Sequence, residues 1–328
     1  MISDARPMRV AFLGSGAFGV PSLRALAASP EEFEVVLVVT APDRPAGRGL
    51  RAQPTPVAEA AAALGLPMLH SENVNDAAPR ERLAQVDPDA LVVIAFGQKI
   101  GVEIRDRWFS INLHASLLPA FRGAAPIQRA LMAGETVTGV SVIELAERMD
   151  AGGVFDRLET EIEPRETAGE LHDRLAELGI EPLLRTLRRR RTGGELATPQ
   201  DDSRATRAAK ISRSDAVIDF ARDAESIRGW VHGLSPWPGC TISLPGPRGP
   251  RQLRLLRVEA VSESEVRGIS GLDPASLRPG DFAGGGLIRC GRGFLHPLQV
   301  QPSGGRAMEW DAFLRGHPLE PGVLVTSP

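Results

Sequence analysis

At 328 residues the chain exceeds a usual single domain, and its length points to two domains, each able to bury its own core. An apolar fraction of 42% and a charged fraction of 24% are those of a soluble globular protein, and no run nears the roughly 20 apolar residues of a membrane span, so a membrane-spanning class is set aside. The net charge of −3 divides unevenly: residues 207–328 hold 15 basic against 12 acidic side chains and residues 1–206 hold 23 against 29, an imbalance too small to point to nucleic acid by itself.

The first residues, MISDARPMRV, lack the basic-then-apolar pattern of a secretion signal, so a cytoplasmic protein is expected. Residues 8–14, MRVAFLG, read as a strand running into Gly14-Ser15-Gly16-Ala17-Phe18-Gly19 and a helix over 20–28. That pattern suggests a dinucleotide fold. The acid that should end the second strand and hold a ribose is missing, because residues 34–39 run into Thr40-Ala41. A Rossmann-like topology without a nucleotide is therefore preferred to NAD binding.

Residues 42–51, PDRPAGRGLR, set Arg44, Arg48 and Arg51 among glycines and prolines. Such composition favours an exposed loop over a helix or strand. The loop is either a solvated connection or a phosphate contact, since guanidinium groups bond phosphate oxygens in pairs. Helices over 56–64 and 80–86 alternate with a short strand at 68–70. Residues 90–95, ALVVIA, are apolar throughout, as a parallel strand covered on both faces requires. Phe96 at its carboxyl end reads either as core packing or as a ligand contact.

A strand at 110–113 carries the centre of the chain, INLHASLLPAFRGAAP at 111–126. Asn112 and His114 stand two residues apart, on one face of an extended segment, so a carboxamide and an imidazole can converge on one small group. The alternative is a satisfied structural pair. Arg122, Gly123 and Pro126 read as a loop feeding a helix that begins near Ile127. After a strand at 139–145, Arg148-Met149-Asp150-Ala151-Gly152-Gly153 adds a carboxylate in a glycine-flanked loop. An amide, an imidazole and a carboxylate on loops after strands suit acyl transfer.

A further strand is expected at 155–162 and a helix over 167–191, with Gly179 and Pro182 as points where it kinks or splits. It ends in four consecutive arginines, which either complement the helix dipole or contact phosphate. TGGELATPQDDSRATR, at 192–207, is polar and reads as a linker. The division predicted is 1–191, a linker at 192–209, and a second domain at 210–328. In the second domain come a helix at 224–231, a rigid corner at Pro236-Trp237-Pro238-Gly239, and short strands at 241–244, 252–258, 287–290 and 294–300, which suggest a small β-barrel. Cys240 and Cys290 give no disulfide framework, and the six histidines lack ligand spacing, so no metal is expected.

The string Asn112-Leu113-His114-Ala115-Ser116-Leu117-Leu118-Pro119, then Arg122-Gly123-Ala124-Ala125-Pro126 and Met149-Asp150-x-Gly, resembles the folate-dependent formyltransferases. PDRPAGRG and the Pro-Trp-Pro-Gly corner resemble the members of that family that formylate methionyl initiator tRNA. The resemblance implies an α/β fold with a Rossmann-like N-terminal formyltransferase domain and an OB-like C-terminal barrel. It implies 10-formyltetrahydrofolate as co-substrate, no metal, and methionyl initiator tRNA as acceptor; a monomer is expected. By the same resemblance Asn112, His114 and Asp150 are catalytic, Ser116, Leu117, Leu118 and Pro119 contact folate, and Arg44, Arg48 and Arg51 contact tRNA.

Three departures from the family pattern stand out. Leu50-Arg51 replaces a lysine pair, Phe96 stands where tyrosine is common, and Gly153-Val154 replaces a leucine and a second acid, with Asp156 too far along to substitute. Two other readings stay open: a relative formylating a small amine, such as a sugar nucleotide or glycinamide ribonucleotide, and a dinucleotide-binding, RNA-associated protein without turnover.

Overall fold

A computed structural model describes residues 6–46, 51–194, 196–246, 249–266 and 276–328. They fall into two compact units: Met1–Gly123, Gly139–Thr160 and His172–Arg207 form the first, and Ala124–Thr138, Glu161–Leu171 and Ala208–Pro328 the second. The division does not follow chain order, because two short internal segments belong with the C-terminal half.

The chain begins with β1 (Met8–Gly14), α1 (Val20–Ala27), β2 (Phe33–Thr40), β3 (Arg44–Ala46), β4 (Arg51–Gln53), α2 (Pro56–Ala63), β5 (Met68–His70), α3 (Ala77–Val86), β6 (Ala90–Ile94), α4 (Val102–Arg105), β7 (Phe109–His114) and β8 (Arg122–Gly123). After α5 (Pro126–Ala133) follow β9 (Val137–Glu144), β10 (Val154–Glu161), α6 (Ala168–Leu178) and α7 (Ile180–Arg191). Seven strands form one sheet in the order β10-β9-β7-β6-β1-β2-β5. β5, β2, β1, β6 and β7 run parallel, and β9 pairs antiparallel to β7. This is the expected Rossmann-like sheet. β6 is buried along its whole length, in keeping with its unbroken apolar run.

The glycine turn after β1 is used for packing. A Cβ on Gly14 would meet the Phe12 ring and the Ile94 carbonyl. The Ser15 and Gly16 amides both donate to the Ala95 carbonyl, at 3.3 and 3.1 Å, so the two donors that a pyrophosphate would need are already taken. Thr55 caps α2 by accepting the Ala58 amide, with Pro56 at the first helical position.

One expectation changes. The composition of residues 42–51 predicts a loop, yet Arg44–Ala46 and Arg51–Gln53 pair as an antiparallel hairpin, with Pro45 opposite Ala52. Proline is tolerated in a two-stranded ribbon because each strand keeps an open edge toward which the missing N–H can face. The helix expected over 167–191 splits at Gly179, one of the two points expected, into α6 and α7. A Cβ there would collide with Leu113 of β7, so glycine lets the helix junction close on the strand that carries the site.

The second unit contains α5, β11 (Arg207–Ala208, shared at its boundary), α8 (Ala224–Gly233), β12 (Thr241–Leu244), β13 (Arg251–Val261), α9 (Glu263–Val266), β14 (Phe282–Gly284), β15 (Leu287–Arg289), β16 (Phe294–Pro302), β17 (Met308–Glu309) and α10 (Trp310–Gly316). Its sheet runs β12-β13-β16-β15-β14, with β17 on β16. Neighbouring strands in it pair antiparallel throughout. Register shifts around Arg257 bend β13, and the sheet curls into the expected OB-like half-barrel. α8 packs beneath it, with Ile227, Val231 and Leu234 buried against Leu255, Val258 and Val300 in one core. Gly229 and Gly233 let α8 close on the backbone of α5. No described helix is long and apolar enough to cross a membrane.

Candidate active site

Asn112 and His114 end β7, at the carboxyl edge of the parallel sheet, where open α/β folds place their ligands. Their register partners on β9 are Ile143 and Ser141. Asn112 is half-buried, and its carboxamide makes no hydrogen bond among the described residues. His114 is buried, at 6% exposure.

The imidazole is held from two sides. Its Nε2 lies 2.9 Å from the Phe121 carbonyl, which can only accept, so Nε2 carries a hydrogen. Its Nδ1 faces Asp150 Oδ2 at 3.7 Å. A ring protonated at Nε2 presents a lone pair to Asp150 when neutral and a second N–H when charged.

Asp150 lies in the loop between β9 and β10 with φ at 54°, a left-handed conformation that aspartate tolerates better than most residues. Its Oδ2 also accepts the Gly123 amide at 2.9 Å. Gly152, two residues on, lies against the Glu144 carbonyl so closely that any Cβ would collide with it. The Asp-x-Gly spacing is therefore a packing requirement as well as a motif. Gln200 completes the loop: its Nε2 donates to the carbonyls of Asp150 and Gly152 at 2.8 and 2.6 Å. Its Oε1 accepts Arg122 through Nε and Nη2 at 3.0 and 2.8 Å.

The next stretch turns partly inward. Ser116 is fully buried, with its hydroxyl donated to the Ala120 carbonyl at 2.6 Å. Leu118 is also fully buried, against Ile143 and Val154. Ser141 of β9 ties the two together, donating to the Ser116 carbonyl and accepting the Leu118 amide. Leu117 and Pro119 are half-buried, so side-chain contact with a ligand from this stretch falls to these two. Phe96 is buried at 4% exposure in the core with Leu91, Ile100 and Ile104, which favours its packing role.

Arg44 is exposed on β3; Arg48 lies outside the described residues, and of Arg51 only the backbone is described. The arginine run closing α7 is engaged within the first unit. Arg188 makes a paired contact with Glu32 at 2.7 and 2.8 Å, and Arg190 lies over the Phe109 ring. Asp156 is bound in the same way by Arg185, which leaves it no part in the site. A groove of about 440 Å³ lined by Val20, Arg24, Glu59, Asp173 and Glu177 shares no residue with the site. Among the described residues no group of three or more His, Cys, Asp or Glu side chains gathers as metal ligands.

Sequence reading missed Phe121, Gln200 and Thr206. Nothing local marks them: their bonds to the site span separations of 7 to 85 residues.

Against known proteins, a family model described as "Formyl transferase" matches residues 8–187, and one described as "Formyl transferase, C-terminal domain" matches residues 210–318. A protein of Methylobacillus flagellatus named methionyl-tRNA formyltransferase is 40% identical over 321 residues, covering 96% of this chain and 98% of its own. A protein of the same name from Symbiobacterium thermophilum is 39% identical, covering 98% and 96%. Among solved structures, the N-formyltransferase from Helicobacter canadensis in complex with folinic acid and dTDP-3-aminofucose gives a TM-score of 0.62 at 14% identity, over 92% of this chain and 100% of its own. HypX from Aquifex aeolicus in complex with tetrahydrofolic acid gives 0.60 at 16%, over 94% and 47%. At such identities the structural likeness speaks for the fold.

Proposed function

The chain belongs to the formyl transferase family, with both its N-terminal and its C-terminal domain, and from that premise we propose that it transfers a formyl group from 10-formyltetrahydrofolate to the α-amino group of methionyl initiator tRNA. The acceptor follows from the relatives of that name, which match nearly the whole chain. The observation that carries the chemistry is the meeting of His114 and Asp150, 3.7 Å apart, at the end of the strand that presents Asn112.

An α-amino group has an ordinary pKa near 8, so an appreciable fraction is nucleophilic at neutral pH without a strong base. The nitrogen attacks the formyl carbon, and the carbonyl oxygen takes up negative charge. The bond from carbon to N10 then breaks. One proton leaves the attacking nitrogen and one arrives at N10. Asn112, whose carboxamide has no protein partner among the described residues, donates its NH2 to the developing oxyanion. His114 supplies the second donor, and Asp150 orients it and takes the amine's proton directly or through a water. The His114 Nε2–H already serves Phe121, so the donor His114 turns to the oxyanion is the Nδ1–H that the ring carries when charged, on the side of Asp150.

The folate lies along the stretch from Ser116 to Pro119, touching Leu117, Pro119 and backbone groups, with Ser116 and Leu118 holding the turn from inside. Arg44, Arg48 and Arg51 supply the phosphate contacts to the tRNA. The protein works as a cytoplasmic monomer. Initial rates of formyl transfer from 10-formyltetrahydrofolate to charged initiator tRNA test the reading, with glycinamide ribonucleotide and a dTDP-amino sugar as rival acceptors. Transfer to tRNA alone is expected; transfer to a rival alone would refute the acceptor.

A further inference from the structure

Residues 198–206 read from sequence as part of a linker. In the structure their long-range hydrogen bonds go to the loops that carry His114 and Asp150. Thr198 pairs with Val154, just after the Asp150 loop, through both backbone bonds, at 2.8 and 2.9 Å. Gln200 donates to the Asp150 and Gly152 carbonyls and accepts Arg122. Asp202 bridges Arg122 at 2.8 Å and Arg148 at 2.6 Å, and these two guanidinium groups, Arg148 first, hold its carboxyl below the usual carboxylate range. Thr206 uses three atoms: Oγ1 accepts the Phe121 amide at 2.8 Å, its carbonyl accepts the Arg122 amide at 2.9 Å, and its amide donates to the Pro119 carbonyl at 3.3 Å.

Two residues so held have unusual backbones. Phe121 has φ at 60° and Asp150 φ at 54°. A bulky non-glycine residue keeps such a conformation only when its surroundings fix it. The Phe121 carbonyl is the group that accepts His114 Nε2–H, so the direction of one peptide sets which ring nitrogen is protonated and which faces Asp150.

We infer that residues 198–206 are a positioning strap for the site, with Gln200 setting the Asp150 turn and Thr206, through Phe121, setting the tautomer and ring direction of His114; as a statement about catalysis this rests on the formyl-transfer reading above. Neither residue touches the reacting atoms. Their effect reaches the chemistry through the two side chains they aim.

Thr206→Val keeps the shape and removes the acceptor, whereas Thr206→Ser keeps the acceptor. Two readouts are taken, kcat and KM for charged initiator tRNA across pH, and ¹⁵N spectra of histidine-labelled protein with the His114 signals assigned by His114→Gln. For Thr206→Val the expected result is about a 10-fold fall in kcat from the loss of one aiming bond, with KM within about twofold and the pH profile displaced. His114 moves from the Nε2–H form toward a mixture of tautomers. Thr206→Ser restores both readouts.

Gln200→Glu turns a carboxylate oxygen toward two carbonyls, and a fall of about 10² is expected from the displaced turn. Gln200→Met serves if Thr206→Val does not fold, and it too should lower kcat at unchanged KM. Wild-type kcat, pH profile and His114 spectra in Thr206→Val, or in Gln200→Met should that stand in, would overturn the strap. The nitrogen spectra decide the strap even if the wild-type protein formylates no tRNA, an outcome that would refute the transfer reading instead.

Discussion

Asp150 reaches His114 with the same carboxylate oxygen that accepts the Gly123 amide, at 3.7 Å from the ring and 2.9 Å from the amide. One oxygen thereby joins the loop after β7 to the loop after β9. Asp150→Asn can keep an acceptor for Gly123 and removes the charge beside the ring. It should fold with nearly wild-type Tm and lose about 10² to 10³ in kcat, by analogy with other charge-stabilising groups at acyl-transfer centres. A wild-type kcat in that variant would remove Asp150 from the mechanism.

Gly152→Ala should be costly at a position that carries no chemistry. The added methyl would run into the Glu144 carbonyl, and relieving that clash moves the turn that holds Asp150. Overpacking of this kind costs typically about 1 to 3 kcal/mol. Thermal melts should show the loss, and turnover should fall with it; an unchanged Tm would mean that the turn has slack.

The sheet was legible because β1 and β6 are the largely apolar runs that a buried parallel strand requires, and the Asn112-x-His114 spacing placed two polar side chains at the end of a third strand, β7. The carboxylate at 150 was legible from its glycine flank. What was not legible depends on partners far along the chain. Gln200 sits in a polar stretch whose composition says linker, and only the fold reveals that its amide faces Asp150 and Gly152. The family motif marks Ser116 and Leu118 as folate contacts and does not show that Ser141, 25 and 23 residues away, draws them inside. The pairing of Arg44–Ala46 with Arg51–Gln53 was hidden by proline and glycine, which mark turns and say nothing about whether the flanking residues pair.

Replacing Arg44 and Arg48 together should weaken use of charged tRNA and flatten the dependence of its KM on salt, since a phosphate left without its guanidinium keeps the counterion that binding would otherwise release. Folate binding should be spared. Equal salt slopes for the double variant and the wild type would return the hairpin to a solvated connection.

His232 is fully buried in α8, with Nε2 accepting the Val258 amide at 3.1 Å. Burial first, then the nearby Arg228 and Arg257 charges, pushes the imidazole from its ordinary 6.5 down to about 4. Between those values the unfolded chain binds a proton that the folded one refuses. Stability should therefore be full above about pH 6.5 and decline as pH falls toward 4, by at most about 3 kcal/mol from this group. In His232→Gln that part of the slope should vanish. A denaturant midpoint with the same pH slope in both proteins would assign the acid loss elsewhere.

The most direct test of the account is the rate of formyl transfer to charged initiator tRNA by His114→Ala beside the wild-type protein, at saturating 10-formyltetrahydrofolate. Rapid transfer by the wild type is expected, with a fall of about 10² to 10³ in kcat for the folded variant. A His114→Ala protein that formylated tRNA at the wild-type rate would contradict it.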